Sequence, residues 1–527
     1  MEKIKNLPAW ALVVLTFVSF ALLSPKWLMP PAAWFAPALL VLLLKSHRLA
    51  RAFFVCFGVI LSSSLVANYK VMPFPGIFFV VMVVVISLQA CIPFLVNHFL
   101  WSRVKGFQKT LILPCAFVVY DYLTSLGGGG TWGLLANTQI ENLAFVQLVS
   151  ITGVWGISFL LYWWAAIVNW FLEEGFEKKG RFVAIVAATF SLVIVFGFVR
   201  LNPFFLEANE TVRVAGITGN NLEMVKSIYQ HATGKKFTAD INRLTQSSPE
   251  LQELNSGLAA FIEDPYAPKF DHARLDLVAF QDSIFNVAAR EAMAGAKVIS
   301  MSEALLFTTK RDEGDLIERA KLFAVKHQVH FLLAMVSFIP TKVQMGSKYM
   351  ENKALLIAPD GSLVYTFFKN KPVPVVEGSI AGDGNVPVAA TPFGNIATSI
   401  CYDADFPQLM RKAGQQQADI MLLPSGDWRE VSPYHAQMAR MRAIENGFSL
   451  VRPVSNAQSF AFDYLGRQLS VRNFFDSGEK VLVAYVPTKG TQTIYPVIGD
   501  VLVYACGLLL LVLMVLALRS GRVPQVV

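Results

Sequence analysis

The sequence predicts an α-helical polytopic membrane bundle carrying one water-exposed α/β domain, and three observations predict it. Hydrophobic residues make up 54% of the 527-residue chain and charged residues only 16%, well under the roughly 25% of an ordinary soluble domain. Nearly all the long uncharged runs lie before about Asn202 or after about Tyr495. Between them, short apolar runs alternate with helix-like stretches, a pattern that builds layered α/β domains.

A spanning helix needs about 20 mostly apolar residues. Seven N-terminal runs are candidates: Leu7 to Leu23, Met29 to Leu44, Ala52 to Ala67, Phe74 to Val96, Thr110 to Leu123, Leu143 to Phe171 and Phe182 to Val199. An eighth runs from Val497 to Leu518, so about eight transmembrane helices are expected. The first run is followed at once by further spans and by no clear small-residue cleavage site, so it reads as a span and not as a cleaved leader. The glycine run Gly127 to Gly130 reads as a loop between spans.

Basic residues mark the cytoplasmic side of such a bundle. With Lys3 and Lys5 inside and alternation thereafter, the inner gaps carry Lys45, Arg48 and Arg51, then Arg103, Lys105 and Lys109, then Lys178, Lys179 and Arg181. The outer gaps carry little beyond Lys26 and Lys70. Seven crossings then put the stretch from Leu201 to about Ile494 outside, and the last span returns Arg519 and Arg522 to the cytoplasm. The predicted domains are therefore 1–200, an extracytoplasmic domain over 201–494, and a final span with its tail over 495–527. The net charge of +8 is absorbed by these flanks, which argues against a nucleic-acid partner. Few charges lie within the spans, which argues against a pure transporter.

Within the polar stretch, Val212 to Ile217, Lys297 to Met301, His330 to Val336, Ala354 to Ile357, Leu363 to Phe368, Ile396 to Ile400, Ile420 to Leu423 and Phe448 to Val454 read as strands. Asp405 to Gln417 and Pro433 to Asn446 read as helices. Reactive groups in such folds collect just past strand ends. Three do so here: Glu303, Lys369 and Cys401. Four of the five cysteines, at 56, 91, 115 and 506, fall in apolar runs. Cys401 is alone in the polar domain, without the spacing of a disulfide framework or a metal pair, and is a candidate nucleophile.

Glutamate, lysine and cysteine in that chain order resemble the nitrilase, or carbon-nitrogen hydrolase, superfamily. More narrowly, Ser399-Ile400-Cys401-Tyr402-Asp403, then Phe406-Pro407, then Asp427-Trp428, His435 and the run Gln437 to Glu445 resemble the apolipoprotein N-acyltransferase family. Lys369 and Glu377 keep that family's spacing of eight residues; the rival Lys371 does not. Three positions depart from its pattern: Met301-Ser302 before Glu303, Phe367-Phe368 before Lys369, and Asp403 in place of a glutamate. The segment 221–296 is also longer than the family pattern and reads as a lid, a docking surface or a plain surface insertion.

The resemblance implies an αββα-sandwich domain facing the periplasm from a bacterial inner membrane. It implies Cys401 as nucleophile, Glu303 as general base, Lys369 as oxyanion stabiliser and Glu377 in support, with Tyr402, Asp403, Trp428 and His435 near substrate. The implied partners are the bilayer, a phospholipid acyl donor and a diacylated lipoprotein acceptor, with no metal and no cofactor. Two other readings stay open: a membrane amidase or acyltransferase for a different amine or amide, and a catalytically silent scaffold.

Overall fold

The computed structural model describes residues 8–74, 76–205, 209–239, 248–344, 346–478 and 480–519. Lys3, Lys5, Leu7 and Arg522, on which the expected orientation and first span partly rest, lie outside these residues. The chain divides into two units, Met1–Leu206 with Val497–Val527, and Glu207–Pro496.

The first unit is all helix: α1 Ala9–Ala21, α2 Ala32–Leu44, α3 Leu49–Asn68, α4 Gly76–Trp101, α5 Ile112–Ser125, α6 Leu143–Val146, α7 Val149–Thr152, α8 Trp155–Glu174 and α9 Gly180–Leu201, with a C-terminal helix Val501–Arg519. Among the described residues, five are long and apolar enough to cross a membrane: α3, α4, α8, α9 and the C-terminal helix. α1, α2 and the Leu143–Thr152 stretch are apolar but shorter, and α5 holds 14 residues.

The run Leu143 to Phe171, expected as one span, is broken. Gly153 adopts φ 63° and turns the chain between α7 and α8. Glycine enters that backbone region without the clash a Cβ brings, so a hydropathy scan reads through a residue that stops the helix. Packing in this unit uses small residues, as helices in lipid do. A Cβ on Gly197 of α9 would stand 1.8 Å from the carbonyl oxygen of Ala144 in α6.

The second unit holds two large sheets. Its strands are β1 Thr211–Ile217, β2 Val298–Met301, β3 Leu306–Thr309, β4 His330–Phe338, β5 Met350–Ile357, β6 Leu363–Phe368, β7 Val388–Thr391, β8 Gly394–Thr398, β9 Ile420–Leu422, β10 Ser425–Gly426, β11 Ser449–Arg452, β12 Val454–Ser455, β13 Gln458–Phe462, β14 Gln468–Asn473 and β15 Val481–Pro487. One sheet runs β15-β1-β2-β4-β5-β6, with β3 also on β4; the other runs β14-β13-β11-β9-β8-β7; β10 and β12 form a short pair. The centres are parallel (β1, β2 and β4; β8, β9 and β11) and the flanks antiparallel.

Side chains alternate between the faces of a strand, and the core follows that alternation. Val212, Val214 and Val298 of one sheet meet Ile396, Ile420, Leu422 and Val451 of the other in a single cluster. Their neighbours Ile217, Ile299 and Met301 face the opposite way, onto Ile284 and Ala288 of helix α12 Asp271–Met293 and Leu316 and Ala320 of helix α13 Glu313–His327. On the second sheet, Met421 and Leu450 face helices α14 Pro407–Gln415 and α15 Tyr434–Asn446 through Met410, Ala439 and Ala443. Strands covered on both faces read as continuous apolar runs, which is why these central strands are visible in the sequence.

Within the segment 221–296, α10 Leu222–Thr233 and α11 Pro249–Glu263 join the start of α12 around their own core. Ile228, Tyr229, Leu254, Phe261 and Phe270 pack there against Phe307 of β3 and Phe338 of β4.

Candidate active site

β2 ends at Met301, and the chain bends through Ser302, whose N–H donates to the Ile217 carbonyl at 2.8 Å. Glu303 follows, its N–H 3.2 Å from the Ser425 carbonyl, so a residue leaving the first sheet is tied to the short β10/β12 pair. Ala304 then takes φ 51°. Lys369 comes directly after β6, anchored by its N–H to the Asn352 carbonyl at 2.9 Å.

These side chains converge. The Lys369 ammonium donates to Glu303 Oε1 and to Glu377 Oε2, both at 2.6 Å. Asn352 Nδ2 bridges the same carboxylates at 2.7 and 3.1 Å. Glu377 also accepts from Ser379 Oγ at 2.5 Å and from the Val373 N–H at 3.1 Å. Burial alone would discharge Lys369, but Glu303 and Glu377 outweigh it and hold its pKa well above the ordinary value. Burial likewise opposes ionisation of Glu377, and Lys369 overcomes it, keeping that carboxyl below its usual range. The cluster is an ammonium clamped between two largely buried carboxylates, where charges interact more strongly than in solvent.

Cys401 follows the end of β8 at a φ of 48°. That left-handed backbone costs a non-glycine residue about 1–2 kcal/mol, and bonds on both sides hold it. The Cys401 N–H donates to the Pro424 carbonyl at 2.8 Å. Asp403, wholly buried, accepts from the Ile400 N–H at 3.0 Å and the Lys371 N–H at 2.7 Å. Such strained turns after a strand present a side chain at the head of a sheet.

Sγ of Cys401 lies 3.5 Å from the Gly426 carbonyl oxygen and 4.0 Å from Asp427 Oδ1. The N–H of the same Gly426 donates to Glu303 Oε2 at 2.9 Å. One glycine therefore touches both the sulfur and the carboxylate. Burial pushes the Cys401 thiol well above its ordinary pKa, Glu303 adds to this, and Lys369 and Arg452 oppose it. Burial therefore favours the thiol over the thiolate at this position.

Beyond the sulfur lies a second cluster. Arg452, fully buried, donates to Asp427 through Nη1 and Nη2, each at 3.0 Å. His435 Nδ1 is 2.7 Å from Asp427 Oδ1, and its Nε2 is 3.0 Å from Asp405 Oδ1. Donor atoms of Cys401, Asp427 and His435 lie within 4.8 Å of one another, a spacing that could hold a metal ion. Arg452 already engages both Asp427 oxygens and stands 3.0 Å from His435 Nδ1, so a guanidinium serves there as the cation.

Of the residues expected near substrate, Tyr402 and Trp428 are half-buried. Asp403 and His435 are turned inward instead. Their bonds to Ile400, Lys371, Asp427 and Asp405 make them parts of the scaffold, because a buried carboxylate or imidazole without protein partners would be costly. Sequence reasoning missed Asn352, Gly426 and Arg452 as site residues. Asn352 and Arg452 lie within strands and look like ordinary strand residues until the fold brings their side chains to the cluster.

The Asp403 carboxyl is raised to about 7 by burial, against the opposing pull of the backbone N–H groups and Lys369. A carboxyl whose folded pKa exceeds its unfolded value contributes stability below the unfolded pKa, near 4, and loses it as pH rises through the folded one. The melting temperature of the wild type relative to Asp403→Asn is therefore expected to fall between pH 4 and pH 7. Thermal unfolding of both proteins in detergent across that range measures this; a constant difference contradicts it.

Two family descriptions match the chain: "Carbon-nitrogen hydrolase" over residues 241–494 and "Apolipoprotein N-acyltransferase N-terminal domain" over residues 11–167. The apolipoprotein N-acyltransferase 1 of Treponema denticola is 25% identical, covering 95% of this chain and 94% of that protein. That of Borreliella burgdorferi is 24% identical over 79% of this chain and 77% of its own. A deaminated glutathione amidase of Synechocystis is 30% identical over 33% of this chain and 69% of that protein. With its apolar helices and nitrilase-like α/β domain, the chain belongs to the apolipoprotein N-acyltransferase family of the carbon-nitrogen hydrolase superfamily.

Proposed function

We propose that the protein transfers a fatty acyl chain from a phospholipid to the N-terminal amine of a diacylglyceryl-cysteine lipoprotein, by way of a thioester on Cys401. The observation that carries this reading is the buried Lys369 ammonium bonded to Glu303 and Glu377, with Gly426 linking Glu303 to the Cys401 sulfur. The relatives that match nearly the whole chain are named for lipoprotein N-acylation, and the apolar helices suit substrates whose acyl chains lie in a bilayer.

Glu303 takes the Cys401 proton as the sulfur attacks the donor's ester carbonyl. Two protons of the Lys369 ammonium are used on the carboxylates, and the third meets the oxyanion that forms. Collapse expels the lysophospholipid alkoxide, which recovers the proton from Glu303 and departs. The acceptor amine then attacks the thioester, Glu303 takes its proton, and the amide leaves as the thiol is restored. Glu377 keeps Lys369 in place throughout. Tyr402 and Trp428 are the substrate-facing residues in this reading.

The reading extends to placement: eight spans in a bacterial inner membrane, an αββα catalytic domain on the periplasmic side, and both termini in the cytoplasm. Intact-mass analysis after incubation with phospholipid alone is expected to show an acyl adduct on Cys401, lost when a diacylated lipopeptide is added as triacylated product appears. No adduct under these conditions sinks the proposal. An adduct without triacylated product favours a different acceptor.

A further inference from the structure

The second cluster, beyond the sulfur, is not used by the reaction just described. It contains two carboxylates, Asp405 and Asp427, the Arg452 guanidinium and the His435 imidazole, all nine-tenths buried or more. Both ring nitrogens of His435 face carboxylate oxygens, at 2.7 and 3.0 Å. An ionised carboxylate only accepts, so both nitrogens must donate, and only the imidazolium has two N–H groups. The 3.0 Å approach of Arg452 Nη2 to Nδ1 does not reverse this. An unprotonated Nδ1 would set its lone pair against Asp427 at the shorter distance of 2.7 Å. The two carboxylates are then balanced by two cations.

We propose that His435 is a positioning residue, held as an imidazolium so that the cluster of Asp405, Asp427, Arg452 and His435 is electrically neutral next to the Cys401 sulfur. Asp427 is the link, since its Oδ1 meets His435, Arg452 and, at 4.0 Å, the sulfur. The charged and titratable groups facing the imidazole are Asp405 from the turn after Cys401, Asp427 after β10 and Arg452 at the end of β11, with Cys401 beyond Asp427 and Tyr402 beside Asp405. Burial alone would strip the imidazole of its proton, but Asp427 and Asp405 outweigh burial and raise its pKa to about 9. On the triad side, Lys369 is shared by two carboxylates, so that side has no positive charge to spare. A cluster of net negative charge on the other side would therefore act directly against a negative sulfur.

Charge neutrality makes predictions of opposite sign. His435→Gln leaves the cluster with one excess negative charge, and Cys401 should react more slowly with iodoacetamide at pH 7, by about tenfold to a hundredfold. Asp405→Asn leaves one excess positive charge and should speed the same reaction. The double variant is neutral again and should return towards the wild-type rate. Peptide mass spectrometry of the full-length protein separates Cys401 from the other cysteines, and the rate is read from pH 6 to pH 10.

The wild type supplies a measurement that needs no variant to fold: its rate should rise less steeply once the imidazolium loses its proton, near pH 9. Rate changes of the same sign in both single variants overturn the proposal. So does a double variant no better than the slower single one, or a wild-type profile of constant slope to pH 10. The inference rests on Cys401 being the nucleophile, yet it is tested separately. If alkylation follows the charge pattern while no acyl adduct ever forms on Cys401, the neutral cluster stands and the acyl-transfer reading falls.

Discussion

Cys401→Ala is expected to leave a folded protein that forms no acyl adduct and transfers acyl chains at least about a thousandfold more slowly than the wild type, the scale of loss seen when a covalent nucleophile is removed. The side chain is small and its main-chain bond to Pro424 does not depend on the sulfur. Its loss should therefore cost no more than about 1 kcal/mol of stability. Melting temperature separates this outcome from misfolding, and triacylated lipopeptide measured by mass spectrometry gives the activity. A Cys401→Ala protein that still acylates would remove the thioester from the mechanism. A silent scaffold, by contrast, would lose nothing in cells that depend on the protein.

Lys369→Met is expected to have the largest combined effect on activity and stability. It removes the cation between Glu303 and Glu377 while Asn352 still holds both carboxylates. Removing one partner of a buried ion cluster costs about 3–5 kcal/mol, and acyl transfer should fall below detection. The pH dependence identifies the cause. Without the ammonium the Glu377 carboxyl must take up a proton to stay buried, so its folded pKa rises above the unfolded one. The variant then holds its stability best near pH 4 to 5 and loses it as pH rises, and its melting deficit should widen from pH 5 to pH 8. Adding Glu377→Gln should restore part of the melting temperature and none of the activity. A deficit independent of pH would mean that the lysine acts by packing alone.

The two kinds of residue in this site differ in how far the sequence exposes them. Glu303 and Cys401 stand just past strands covered on both faces, which read as uninterrupted apolar runs, and Lys369 follows the edge strand β6, apolar in sequence though half exposed. Their positions could therefore be read before any contact was known. The lysine could be told from Lys371 only by its spacing to Glu377, and the structure gives that spacing a physical form in the 2.6 Å bond between the two side chains. The edge strands β7 and β14 were not legible, because β7 is only four residues long and β14 holds only Leu469 and Val471 among polar residues. The membrane unit shows the converse error. Hydropathy reads Leu143 to Phe171 as continuous since no charged residue interrupts it, whereas the break at Gly153 is a matter of backbone angle.

What the sequence determined by itself was chemical type along the chain: where lipid-compatible helices and buried strands must lie, and which reactive side chains follow them. Only the tertiary structure decided the partners. Asn352, Gly426, Asp405 and Arg452 come from four separate elements and carry no local signal. Their roles arise because two sheets packed face to face bring distant strand ends within 3 Å of one another, where burial makes each charge depend on the next.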